Sequence, residues 1–170
     1  MLHKSAKCAA LYGVLTALAL VLSWAEAQIP AFFAIPGMKL GLTNIVVLLA
    51  LYCIGPGAAL VINLVRILLV SLLFGNGASL IYSLCGGMLS TVVMLLLKRT
   101  GLVRILFVSI AGGVFHNIGQ ILAAMLLLQT TSLVWYLAIL WFSGMASGAL
   151  IGIISGIVCR RVVPVIGSGK

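Results

Sequence analysis

Acidic residues are almost missing from this chain, which has no Asp and a single Glu, Glu26. A magnesium–diphosphate site built on aspartates is thereby excluded, because that hard cation is held through carboxylate oxygens. The pattern G-x-x-x-x-G-K-[ST] is missing too, so ATP is not hydrolysed here through a phosphate-cradling loop. The four cysteines, Cys8, Cys53, Cys85 and Cys159, show no C-x-x-C spacing, and each sits in or beside an apolar run. Free thiols are expected, with no disulfide framework, no metal site and no cofactor. Charge of any kind is scarce, at 6% of 170 residues, while 64% are apolar. No soluble domain of this length can hide so much apolar surface. One integral membrane domain covering residues 1–170 follows, with no room for an appended catalytic domain.

The formal charge of +9 would suggest nucleic acid in a soluble protein. Here the basic residues punctuate apolar segments and form no aromatic-interleaved patch, so no nucleic-acid partner is expected. A membrane helix needs roughly 20 largely apolar residues, fewer where it is buried in protein. Such runs fall at about 8–25, 40–54, 57–74, 78–97, 103–128 and 133–158, hereafter helices 1 to 6. Pro30 and Pro36-Gly37, Gly55-Pro56-Gly57, Gly75-Asn76-Gly77, Lys98 to Gly101 and Gln129 to Thr131 interrupt them. The expected fold class is therefore all-α, a bundle of six transmembrane helices.

With both termini cytoplasmic, Lys4, Lys7, Lys98, Arg99, Arg104, Arg160, Arg161 and Lys170 all lie inside, so eight of the ten cations obey the positive-inside rule. The opening segment also imitates a signal peptide ending at Ala25-Glu26-Ala27. Its apolar run exceeds the usual 7–15 residues of such a core, which favours retention as helix 1. The two remaining cations, Lys39 and Arg66, fall at the outer edge of helix 2 and near the middle of helix 3.

An ionisable group in mid-membrane costs about 2.5–3.5 kcal/mol, so each requires a partner, a ligand or a wet cavity. Asn63 and Arg66 share a face of helix 3, and His116 and Gln120 stack on helix 5 with Asn117 beside them. Asn44 follows Thr43 in the first turn of helix 2, and Ser79, Tyr82 and Ser83 stand at the outer end of helix 4. All fall between mid-membrane and the outer surface, which predicts an outward-facing polar pocket. The loop 26–39, with Phe32 and Phe33, is placed to cover it as a lid. Lys39, Arg66 and a protonated His116 would suit a carboxylate, phosphate or diphosphate. Trp24, Phe32, Phe33, Tyr82 and Trp135 can stack a flat ring, although Trp24 and Trp135 also suit the interfacial belt.

Plainer readings stand beside these. Polar residues in membrane bundles often only join helices, and His116 is as readily a satisfied interior histidine as a ligand contact. Arg66 has two options: an ion pair with Glu26, or an incoming anion. Helix 6 carries Gly144, Gly148, Gly152 and Gly156 at intervals of four, a stripe suited to internal packing or to docking another membrane subunit. Helix 1 has a similar small ridge at Ala9, Gly13 and Ala17.

The stretches Pro36 to Asn44, Asn63-Leu64-Val65-Arg66, Leu73-Phe74-Gly75, Tyr82 to Gly87 and His116 to Gln120 resemble a bacterial family labelled both Gx transporter and heptaprenyl diphosphate synthase component I. The likeness runs over about 10–158. That family in turn resembles the substrate-binding S components of energy-coupling factor (ECF) transporters, which are six-helix proteins with an outward pocket. The resemblance implies a bacterial plasma-membrane protein, bathed in membrane lipid, with a transmembrane coupling subunit and cytoplasmic ATPases as partners. It also implies that the ridge Ala9, Gly13 and Ala17 contacts the coupling subunit, where S components carry A-x-x-x-A. Lacking Asp, the chain would serve any prenyl synthesis only as an accessory beside a separate prenyl diphosphate synthase subunit. It is not expected to be an enzyme. The first functional reading is thus a subunit binding a small anionic or polar-aromatic metabolite through Lys39, Asn44, Asn63, Arg66, Tyr82, His116, Asn117 and Gln120. The second is an accessory component of isoprenoid synthesis, and the third a scaffold without a ligand.

Overall fold

A computed structural model describes residues 2–28 and 41–167. They form α1 (Leu2–Gln28), α2 (Asn44–Leu49) continuing as one π turn (Ala50–Ile54), α3 (Pro56–Phe74), α4 (Gly77–Thr100), α5 (Ile105–Leu128) and α6 (Val134–Gly167). There is no strand among the described residues, and five of the helices are long and apolar enough to cross a membrane. The protein is a multi-pass, all-α membrane bundle.

Helix ends fall where local chemistry requires them. Pro56 occupies the first position of α3, where its missing N–H would have had no helical partner, and Gly55 before it takes φ 144°. Asn76 caps α4 by accepting from the Ser79 N–H at 2.8 Å, while Ser79 Oγ accepts from the Asn76 N–H at 2.9 Å. Gly101 then closes α4 at φ 68°.

Several boundaries differ from those expected. Helix α4 runs on through Lys98, Arg99 and Thr100, because cations in a last turn face the negative end of the helix dipole. Helix α1 also begins earlier, at Leu2, and α6 runs on through Arg160 and Arg161. The expected second span is the largest departure. It begins at Asn44 and has eleven residues to Ile54, about 16 Å at the rise of a helix, or half the hydrocarbon thickness. Protein rather than lipid surrounds it: Val46, Val47, Leu48, Ala50 and Leu51 are fully buried, among contacts from α1, α3 and α6.

The apolar surface is turned outward elsewhere. Leu72, Leu126, Trp135 and Phe142 are largely exposed, as suits side chains that meet lipid. Association must then come from close packing rather than from a hydrophobic drive between helices. Helix α5 lies between α4 and α6, and glycines make both seams. A Cβ on Gly119 would stand 2.7 Å from the Cys85 carbonyl oxygen and 2.8 Å from Gly86 Cα. On the other side Gly144 faces the Gly113 backbone, Gly148 faces Ile110 Cα at 2.7 Å, and Gly152 faces Ser109 Cβ at 2.9 Å, all measured from an added Cβ. Gly156 is looser, at 3.4 Å from Ile105 Cγ2. The α6 stripe is thus turned inward on α5.

Candidate ligand-binding site

Polar side chains from all six helices meet in one cavity of about 210 Å³. Ser23 and Glu26 come from α1, Asn44 from the start of α2 with Thr43 just before it, and Asn63 and Arg66 from α3. Ser79, Ser83 and Gly87 come from α4, His116 and Asn117 from α5, and Ser147, Gly148 and Ile151 from α6. Ala27, Phe74 and Gly75 mark its mouth, at the ends of α1 and α3. Arg66 and Asn63 lie about 12 and 16 Å below the last residue of α3, by the rise of the helix.

Arg66 is held by a directional chain of hydrogen bonds. Its Nη2 donates to Asn63 Oδ1 at 2.5 Å. Asn63 Nδ2 in turn donates to the Gly87 carbonyl at 3.1 Å and to Thr91 Oγ1 at 2.8 Å, and Thr91 donates to that same carbonyl at 2.8 Å. The amide is therefore locked with its oxygen toward the guanidinium. Gly87 is tight here, since a Cβ would meet Ile67 Cδ1 at 2.6 Å and Asn63 Nδ2 at 3.3 Å. Arg66 Nε is buried and has no hydrogen-bond partner. An unengaged buried donor costs about 1–3 kcal/mol, and a guanidinium presents its N–H groups as a fork matched to carboxylate or phosphate.

Of the two options for Arg66, the ion pair with Glu26 does not form among the described residues. Glu26 Oε1 accepts instead from the Gly41 N–H at 2.5 Å, which ties the end of α1 to the entry of α2. Its charge acts on Arg66 at longer range across the cavity. Ser23 and Thr43, both buried, share a hydrogen bond of 2.9 Å and reinforce the same junction. Asn117 Nδ2 donates to the Leu140 carbonyl at 2.7 Å, joining α5 to α6 at the cavity wall.

Of the residues singled out in the sequence, Asn44, Asn63, Arg66, His116 and Asn117 line this cavity. Tyr82 and Gln120 do not. Along α4 the cavity face is set by Ser79, Ser83 and Gly87 at intervals of four, and Tyr82 is one residue, about 100°, off that line. Gln120 lies over Gly86 at the seam between α4 and α5, where its Cγ is 2.8 Å from an added Cβ. Lys39, and the part of the proposed lid from 29 onward, lie outside the described residues. Residues 26–28 of that lid are the last of α1. Trp24 and Trp135 are exposed and absent from the lining. Ala9, Gly13 and Ala17 are exposed, and nothing lies within 4 Å of an added Cβ on Gly13.

Sequence reasoning named Glu26 but missed Ser23 beside it and the α6 wall at Gly148 and Ile151. The α1 contribution had a signal, because Ser23 and Glu26 are three apart and share a helix face. The α6 wall at Gly148 and Ile151 had none, since Gly148 offers only backbone and Ile151 resembles any other apolar position. Among the described residues no cluster of three or more His, Cys or acidic groups can hold a metal ion.

A family profile described as heptaprenyl diphosphate synthase component I matches residues 15–158. The chain belongs to that family. The component I match begins within α1 and ends within α6, so it contains every residue of the cavity lining. No curated protein and no solved structure matches the chain.

Proposed function

We propose that this component I protein is a noncatalytic, membrane-embedded substrate-capture subunit, comparable to the S component of an ECF-type uptake transporter. Its ligand is a small metabolite carrying a carboxylate or phosphate. The observation that carries the reading is Arg66: a guanidinium in mid-bundle, oriented by Asn63, with an unengaged Nε and no acidic contact among the described residues. A buried cation without a paired anion is unfavourable, and an anionic ligand relieves that imbalance. Asn44, Ser83 and Asn117 add neutral polar groups that can orient the rest of the molecule.

Size supports a compact ligand. The cavity measures about 210 Å³. That is below the 300–1,000 Å³ typical of drug-sized sites and unsuited to a long prenyl chain. Energy for inward release would come from partners, a transmembrane coupling subunit and cytoplasmic ATPases, because this sequence has no nucleotide-binding loop of its own.

The family description favours a second reading, an accessory membrane component beside a separate, Asp-rich prenyl diphosphate synthase. Native mass spectrometry of the gently purified protein discriminates between the two. A retained small anion, lost in Arg66→Ala while the protein stays folded and monodisperse, is the expected result. Co-isolation of a soluble synthase with an empty cavity would transfer support to the accessory role. Equal loss of folding and ligand in both Arg66→Ala and Arg66→Lys would make Arg66 structural and overturn the capture reading.

A further inference from the structure

Away from the cavity, the π turn of α2 approaches α6 through two thiols. Cys53 Sγ and Cys159 Sγ are 3.9 Å apart although 106 residues separate them in sequence, and one thiol donates its hydrogen to the other. Lys98 completes the cluster. Its ammonium donates to the Leu51 carbonyl, lies 4.9 Å from the centre of the Tyr52 ring, and acts electrostatically on both thiols. The free cysteine Cys85 stands apart, exposed on α4.

Disulfide formation needs the sulfurs at about 2.05 Å, so they must close by about 1.9 Å. Turning each Cβ–Sγ bond by roughly 30° about χ1 supplies that travel, within the range side chains reach without moving a helix. Cys53 is the more accessible of the pair, while Cys159 is 8% exposed, which suits them to the attacking and the resolving role. The Lys98 ammonium offsets part of the cost that this buried place imposes on a thiolate.

We propose that Cys53 and Cys159 are a peroxide-responsive dithiol whose oxidation staples the π turn of α2 to α6. The Cys53 thiolate attacks one oxygen of hydrogen peroxide, the O–O bond breaks, and hydroxide leaves a sulfenic acid on Cys53. The Cys159 thiolate then attacks that sulfur, the S–O bond breaks, and a second hydroxide departs. The two thiol protons convert both hydroxides to water. Sulfur loses two electrons in all and peroxide gains them, giving one disulfide and two waters. Because α2 and α6 both contribute to the cavity lining, the staple joins two of its walls away from Asn44 and Gly148.

The test uses the full wild-type chain in lipid nanodiscs, treated with hydrogen peroxide, alkylated with N-ethylmaleimide, and analysed intact and as unreduced peptides. The expected result is an intact mass lower by about 2 Da before alkylation, a peptide pair joining Cys53 to Cys159, and recovery of both thiols with dithiothreitol. In Cys159→Ser, dimedone should trap Cys53 as its sulfenic acid, and no linked pair should form. Full alkylation of both cysteines after peroxide would overturn the proposal. So would conversion of Cys53 to sulfinic acid without a link, or dimers through Cys85 as the sole product.

Discussion

Replacing Gly119 by Ala tests the packing scheme most directly. The new Cβ would stand 2.7 Å from the Cys85 carbonyl oxygen, 2.8 Å from Gly86 Cα and 3.0 Å from the Cys85 carbonyl carbon. Ordinary contact begins near 3.4 Å, so α4 and α5 must part by about 0.7 Å. All three obstacles are backbone, which no rotamer change can move. Nor can α5 retreat toward α6, because Gly113 and Gly144 already bring those backbones together. Overpacking of this kind costs about 1–3 kcal/mol, and a gap of 0.5–1 Å forfeits a quarter to a half of each dispersion contact along the seam. The gain of roughly 1 kcal/mol in helix propensity offsets part of that. A net loss of about 1–3 kcal/mol corresponds to a fall of roughly 2–12 °C in melting temperature for a chain of this size. Thermal unfolding in detergent, followed by tryptophan fluorescence, reads it. Gly13→Ala, with nothing within 4 Å, and Gly156→Ala, at 3.4 Å, should keep the propensity gain and melt about 2–4 °C above the wild type. Gly112→Ala should fall between, since its obstacles are Met94 Sδ at 2.6 Å and Cγ at 2.9 Å, parts of a flexible side chain. If Gly119→Ala melts with Gly156→Ala, the close α4–α5 approach is wrong.

Other expectations follow from the cavity and from the inner contacts. Asn63→Asp places a carboxylate where Arg66 Nη2 now donates, so retention of an anionic ligand should fall more than tenfold by native mass spectrometry, while loss of the Gly87 contact costs about 1–3 kcal/mol in a melt. Tyr82→Phe and Gln120→Ala, both off the lining, should leave ligand retention within twofold of wild type. Lys98→Met leaves the Leu51 carbonyl without its ammonium donor and should lower stability by about 1 kcal/mol in the same thermal assay.

The lengths and breaks of the apolar runs were enough to read the class and the five long helices, because Gly55-Pro56, Asn76 and Gly101 each carry a local reason for a helix to start or stop. Which face of each helix turns inward was far less legible. Helices that are apolar all round give no stripe to orient them, so Tyr82 and Ser83 look equally eligible while differing by about 100° in direction. Asn63 and Arg66 were legible because mid-membrane polarity is costly enough to mark an interior. The α6 wall was not, since Gly148 offers only backbone there and Ser147 and Ile151 look like any other small or apolar position of that helix. The pairing of Cys53 with Cys159 was hidden for another reason, the 106 residues between them.

The π turn at Ala50–Ile54 holds a carbonyl that the helix itself does not use. Gly55 N–H reaches back five residues to the Ala50 carbonyl at 2.9 Å, which leaves the Leu51 carbonyl free for Lys98. A turn of this type holds one residue more than an α turn. Removing a single residue from 50–54 would convert it to ordinary helix, leave Thr43 and Asn44 near their present azimuth, and take away the spare carbonyl that Lys98 now holds. The extra residue of this turn therefore serves the cluster around Lys98 and Cys159, and a deletion there would be felt at Tyr52 and Cys53 rather than in the cavity.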